Sequence, residues 1–131
     1  MTYGVARGVG ALALAIMAMG SMPTTAQAGD AAAGEAVFRA CRSCHVVDKE
    51  QNRVGPHLVG IVGRAVGAVE GFRYSDAMLT WGEGKVWDAA TLDAYLENPR
   101  DVVKGTRMAY PGLRDAEDRA NIIAYLEGAG S

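Results

Sequence analysis

The run Cys41-Arg42-Ser43-Cys44-His45 constrains the chain more than any other feature. It holds both cysteines of the sequence and one of its two histidines, in the order C-x-x-C-H. Two thiols at this spacing, at the end of a helix, reach the two vinyl groups of one porphyrin. The adjacent imidazole then lies under the iron, so the pattern reads as a covalent haem attachment site. Tethering also prevents loss of the cofactor from a small protein exposed to a large volume. The same residues serve other chemistry less well. A structural zinc site needs four Cys or His ligands as a rule, and outside this run only His57 is left. A redox dithiol needs a preceding strand and a βαβ pattern, and neither is visible. That dithiol and a coincidence stay as the alternatives. In an exported chain two thiols would normally form a disulfide, unless a cofactor takes both.

Residues 1–28 carry a single charge, Arg7, followed by an apolar run over 9–19 and then Ala26-Gln27-Ala28. That order is an export signal with a small-x-small cleavage site. Cleavage after Ala28 is expected, giving a periplasmic chain that begins at Gly29. The apolar run falls short of the roughly 20 residues of a spanning helix, and an uncleaved anchor is the alternative. Residues 29–131, about 100 in number, make one domain. A chain of that size buries a limited fraction of its surface. A central haem would supply much of the missing core, so the apo-protein is expected to be largely unfolded.

The periodicity is helical and no stretch alternates convincingly with period two. Asp30 can cap a first helix running to about Ala40, with Gly34 and Phe38 on one face. Ser75 can cap a short helix from Asp76 to about Trp81. Asp88 can cap a third that stops near Asn98, because Pro99 disfavours helical geometry in the residue before it. The last helix starts at Asp115 with acids in its first turn and ends at Gly128. Ile122, Ile123, Tyr125 and Leu126 give it a broad apolar face.

Residues 29–128 carry an ordered set of landmarks: Gly34 with Phe38, the CRSCH run, Arg53-Val54-Gly55-Pro56, Gly63-Arg64, Gly71-Phe72-Arg73-Tyr74-Ser75-Asp76-Ala77, Trp87, Tyr95-Leu96-Glu97-Asn98-Pro99 and Gly105-Thr106-Arg107-Met108. In this order the chain resembles the small class I cytochromes c, most closely the bacterial periplasmic ones of the mitochondrial-like type. The resemblance implies an all-α cytochrome c fold, with about four helices and glycine-rich loops wrapped around one haem c. It implies that Gly34, Phe38, Ile122 and Tyr125 form the contact where the first and last helices cross. Cys41 and Cys44 would carry the haem, with His45 and Met108 as the axial iron ligands. Pro56 would accept a hydrogen bond from His45. Arg64, Tyr74, Trp87 and Thr106 match residues that hold the haem propionates, and Tyr95 matches a tyrosine whose hydroxyl points at the methionine sulfur.

Two methionines follow the export signal, Met78 and Met108. Met78 sits where mitochondrial members often carry asparagine and is expected to pack against the haem edge. For Met108 the alternative is packing as a core residue, against which its loop position argues. His57 reads as a partly exposed loop histidine. The chain departs from the family pattern at Pro111, where a small residue is common, and at Lys104, where a proline often precedes the Gly-Thr pair. Both bear on the path of the ligand loop.

Iron with both axial positions filled has no open site for substrate, so the expected function is electron carriage and not catalysis. The resemblance implies a quinol-oxidising cytochrome complex as donor and a terminal oxidase, photosynthetic reaction centre or peroxidase as acceptor. The alternative is a haem-based sensor or gas-binding cytochrome with a labile methionine; a weak peroxidase would also need an open iron face. Residues 39–73 hold six basic and three acidic side chains and residues 98–114 four and one, each segment net +3 within a net charge of −3 after residue 28. Both segments are expected to flank the haem, so Arg42, Arg53, Lys104 and Arg107 would face an acidic partner. No nucleic acid partner and no stable membrane insertion are expected, and the chain is expected to be a monomer.

Overall fold

The computed structural model describes residues 1, 2, 4 and 28–129; the expected export signal falls almost wholly outside them. Five helices, and no strand among the described residues, make the domain: α1 (Ala31–Phe38), α2 (Asp76–Gly82), α3 (Ala89–Glu97), α4 (Pro99–Val102) and α5 (Ala116–Gly128). The one extended pairing is an isolated antiparallel bridge between Ala65 and Val86.

Each expected cap is formed. Asp30 accepts from the amides of Ala32 and Ala33 at the start of α1, and Ser75 accepts from Met78 N–H at the start of α2. Asp88 accepts from Thr91 N–H before α3, and Asp115 from Asp118 N–H before α5. Each satisfies a first-turn amide that has no helical partner, an effect of about 1 kcal/mol. Glu117 and Asp118 add acids to the first turn of α5, where the helix dipole favours them.

Two boundaries differ from the sequence expectation. α1 ends at Phe38, because Ala40 N–H turns back to Val37 and Cys41 N–H to Phe38, tightening the chain before Ala40. The all-α expectation of about four helices holds, with the short α4 as a fifth. Pro99 ends α3 and also opens α4, because a proline needs no helical hydrogen bond at the first position of a helix.

The core joins Phe38, Ile61, Met78, Trp87, Leu92, Tyr95, Val103, Ile122, Ile123 and Leu126. Its foundation is the contact of α1 with α5. At Gly34 a Cβ would overlap the Asn121 carbonyl and meet Tyr125 Cβ at 2.8 Å, so only glycine lets these backbones approach. One turn on, the Phe38 ring lies 5.4 Å from that of Tyr125. The buried Asn121 side chain accepts from Asp30 N–H at 2.8 Å, which ties the start of α1 to the middle of α5. With this end of the molecule fixed, the chain leaving α1 delivers the two cysteines.

Candidate functional site

Directly after α1, Cys44 and His45 both donate their amides to the Cys41 carbonyl, at 3.1 and 2.9 Å. This turn sets Cys41, Cys44 and His45 along one short arc, with both thiols half-buried and unbridged. Burial, and then the nearby Cys44, push the Cys41 thiol above its ordinary range. It is therefore a protonated thiol at neutral pH.

The His45 ring is fixed from two sides. Its Nδ1 lies 2.7 Å from the Pro56 carbonyl oxygen. A carbonyl can only accept, so Nδ1 carries the proton and Nε2 keeps its lone pair. Against the ring runs Gly55, where a Cβ would press on Nδ1 at 2.8 Å. Gly55 N–H is itself held by the Cys44 carbonyl at 3.0 Å. Burial holds the imidazole below its usual range; the Pro56 hydrogen bond acts the other way and the Arg64 charge again lowers it. At neutral pH His45 is thus an uncharged, oriented imidazole whose free nitrogen can bind a metal.

Arg64 donates from Nη1 to the Val59 carbonyl at 3.1 Å and from Nη2 to that of His57 at 3.0 Å. Its Nε is buried without a partner, as is Nδ1 of the half-buried His57. Buried polar atoms rarely go unpaired, and the acceptor that Arg64 Nε lacks is what a haem carboxylate supplies. Tyr74 Oη accepts from Val69 N–H at 3.1 Å, which leaves its own O–H free to donate.

Trp87 and Tyr95 are buried with ring centroids 5.2 Å apart. Tyr95 Oη and Thr106 Oγ1 share a hydrogen bond at 2.9 Å, and Thr106 Oγ1 accepts from Met108 N–H at 3.3 Å. Tyr95 therefore meets the backbone of the Met108 loop through Thr106. Met108 is half-buried and packs against the core. Met78 lies within the core at 9% exposure.

The structure thus assembles two groups from the expected site residues: Cys41, Cys44, His45 and Pro56 form one, and Trp87, Tyr95, Thr106 and Met108 the other. Arg42, Arg53, Lys104 and Arg107 are all exposed. Arg42 forms a surface ion pair with Glu35 at 3.3 Å, a pair of the kind that contributes little. Arg53 reaches the Arg42 carbonyl at 3.5 Å, so these two basic residues are neighbours. Sequence reasoning missed Trp81, whose ring lies 5.6 Å from Trp87 and 6.0 Å from Tyr95. Its spacing of three from Met78 on one helix was the available signal.

The donor set suits a covalently held haem: paired thiols beside an oriented neutral imidazole, a cradle at Gly55 that a Cβ would fill, and an unpaired buried guanidinium nitrogen. No protein-family model matches the chain. Individual relatives match it over most of its length. It is 49% identical to cytochrome c2 of Rhodomicrobium vannielii over 100 residues, 76% of this chain and 78% of that one. It is 50% identical over 99 residues to the cytochrome c-type cyt cy of Rhodobacter capsulatus; the match takes in 75% of this chain and about half (48%) of the relative's length. Among solved structures, cytochrome cH from Methylobacterium extorquens matches with a TM-score of 0.70 at 44% identity, covering 75% of this chain and 97% of that one.

Proposed function

The chain belongs to the class I c-type cytochromes, whose cofactor is one covalently attached haem c, and on that premise we propose that it is a single-electron carrier with His45 and Met108 as axial iron ligands. The observation that carries the reading is the His45 imidazole, half-buried, neutral and held through Nδ1 by Pro56, directly beside two half-buried thiols. Cys41 and Cys44 are the attachment residues. The haem supplies a one-electron couple, and a histidine with a methionine as ligands raises its potential.

The chain's own residues set the conditions for that couple. Pro56 fixes the tautomer of His45 and makes it a better ligand. Met108, with Thr106 accepting from its amide and Tyr95 bonded to Thr106, brings a neutral thioether that favours the ferrous state. The apolar surroundings of Met78, Trp87, Tyr95 and Val103 disfavour the extra charge of the ferric state. Arg64 through Nε, Tyr74 through its free O–H, Trp87 and Thr106 orient the haem carboxylates, whose burial without partners would be costly.

The working compartment is the periplasm, reached by export and cleavage after Ala28. The donor is a quinol-oxidising cytochrome complex, and the acceptor a terminal oxidase, reaction centre or peroxidase. Exposed Arg42, Arg53, Lys104 and Arg107 steer an acidic partner face toward the site. Among the described residues no helix is long and apolar enough to cross a membrane.

Spectroelectrochemistry of the exported holo-protein tests the reading. It should titrate reversibly as one electron, and its ferric form should show the weak far-red sulfur-to-iron band. A ferric spectrum without that band would refute methionine ligation.

A further inference from the structure

The loop over residues 103–114 carries Met108 and is tied down at both ends. On the near side Thr106 N–H donates to the Val103 carbonyl at 3.0 Å, and Thr106 Oγ1 shares its hydrogen bond with Tyr95. On the far side Gly112, at φ 108°, passes so close to the Glu97 carbonyl that a Cβ would overlap it. Leu113 N–H then donates to the Leu96 carbonyl at 2.7 Å. Between these ties, Arg107 offers only a long 3.5 Å contact to the Arg73 carbonyl.

The far-side tie depends on one charged side chain. Arg119 of α5 is buried, its side chain 8% exposed. Its Nη1 donates to the carbonyls of Leu113 at 2.8 Å and Arg114 at 3.0 Å. Its Nε donates to Asp93 of α3 at 2.7 Å, and Nη2 lies 4.0 Å from Glu97. A buried guanidinium cannot lose its proton and must be matched by acceptors. The Asp93 carboxylate is the near counter-charge that holds the fork in this orientation, so one side chain couples α3, α5 and the end of the loop. The sequence gives no local sign of this, since Asp93, Leu113 and Arg119 converge only in the fold.

We propose that the Arg119–Asp93 pair is a positioning device for Met108: by fixing the Leu113 and Arg114 carbonyls it sets how readily the methionine leaves the iron, and so how closed the iron is to outside ligands. The proposal rests on Met108 being an axial ligand. The hydrogen bonds of Arg119 go to Asp93, Leu113 and Arg114 and none to Met108, so the pair acts through the loop. When the carboxylate is removed, the guanidinium loses its strongest partner and the free span of the loop extends toward α5. Charge-assisted hydrogen bonds of this kind are the strong ones. Loss of one should raise the population of the open loop on the order of tenfold.

The test uses holo-protein with four variants. Asp93 is 47% exposed on its side chain, so Asp93→Ala leaves no large cavity. It should bind imidazole at the ferric iron about tenfold faster than wild type and lose its far-red band at lower imidazole concentration. Asp93→Glu should restore most of the wild-type rate. Asp30→Ala removes the α1 cap, destabilises the fold away from the loop and should leave the imidazole rate unchanged. Met108→Ala tests the premise separately, and a far-red band that survives in it would overturn the ligand assignment. If Met108→Ala loses the band while Asp93→Ala binds imidazole no faster than wild type or Asp30→Ala, the positioning role is overturned.

Discussion

The protein grips His45 closely, through hydrogen bonds and a glycine approach within residues 41–56, while Met108 hangs from a loop over residues 103–114 secured mainly at its ends. On the histidine side the Cys41 carbonyl holds the backbone, Pro56 holds the ring, and Gly55 lies flat against it. On the methionine side no hydrogen bond from the described residues reaches the sulfur, and position is inherited from Thr106, Gly112 and Leu113. The difference assigns separate duties. On the proposed ligation the histidine side would decide whether a folded holo-protein exists, and the methionine side how it behaves. Perturbing the first should cost cofactor and stability; perturbing the second should change potential and ligand access in a protein that still folds.

The largest effect should come from the attachment arc. Replacing Cys41 and Cys44 together with alanine should leave no covalent haem on mass spectrometry of exported protein, and a largely unfolded chain by circular dichroism. Accumulation of covalent holo-protein would remove the basis for treating this arc as the anchor. Next, Gly55→Ala drives a methyl group into the His45 ring. The ring and the Pro56 contact must shift, at about 1–3 kcal/mol by the usual cost of overpacking. Thermal denaturation should register the loss, with the far-red band retained at low temperature.

The two methionines sharpen the contrast. Met108→Ala should lower the potential and open the iron to exogenous ligands, with a modest change in melting temperature. Met78→Ala should do the reverse, destabilising by about 2–5 kcal/mol through the cavity left in the core while leaving the potential near its wild-type value. An exchange of these phenotypes would exchange the assignments. The smallest structural effect, with a clear kinetic one, belongs to the basic surface. Arg42→Glu with Arg107→Glu should slow electron transfer to an acidic partner at low salt. The deficit should shrink as the Debye length falls to about 8 Å near physiological ionic strength, with spectrum and potential unchanged. Rates indifferent to both charge and salt would mean that partners dock elsewhere.

Much of the helical frame and of the histidine side was legible in the sequence because the signals are local. Asp30, Ser75, Asp88 and Asp115 cap helices using their own near neighbours, and the cysteine spacing is meaningful without any tertiary partner. The interval from Gly34 to Phe38 put them on one helix face, the family resemblance made Gly34 a contact glycine beside Tyr125, and the structure adds the Asn121 carbonyl as what it meets. Helix α4 was not legible, because a proline after Asn98 signals the end of one helix and permits the start of another with equal force. Trp81 and the Arg119–Asp93 pair were hidden for a different reason: their meaning lies in contacts between elements far apart in sequence. The same holds for Arg64 and His57, whose buried unpaired nitrogens no spacing could announce.

Carbon monoxide binding to the native ferrous protein tests most directly whether both axial positions are filled. With His45 and Met108 on the iron, mixing reduced holo-protein with carbon monoxide at neutral pH should leave its visible spectrum unchanged. Rapid formation of a carbonyl adduct by the wild-type protein would contradict the carrier reading and identify instead a haem sensor or gas-binding cytochrome with a labile methionine.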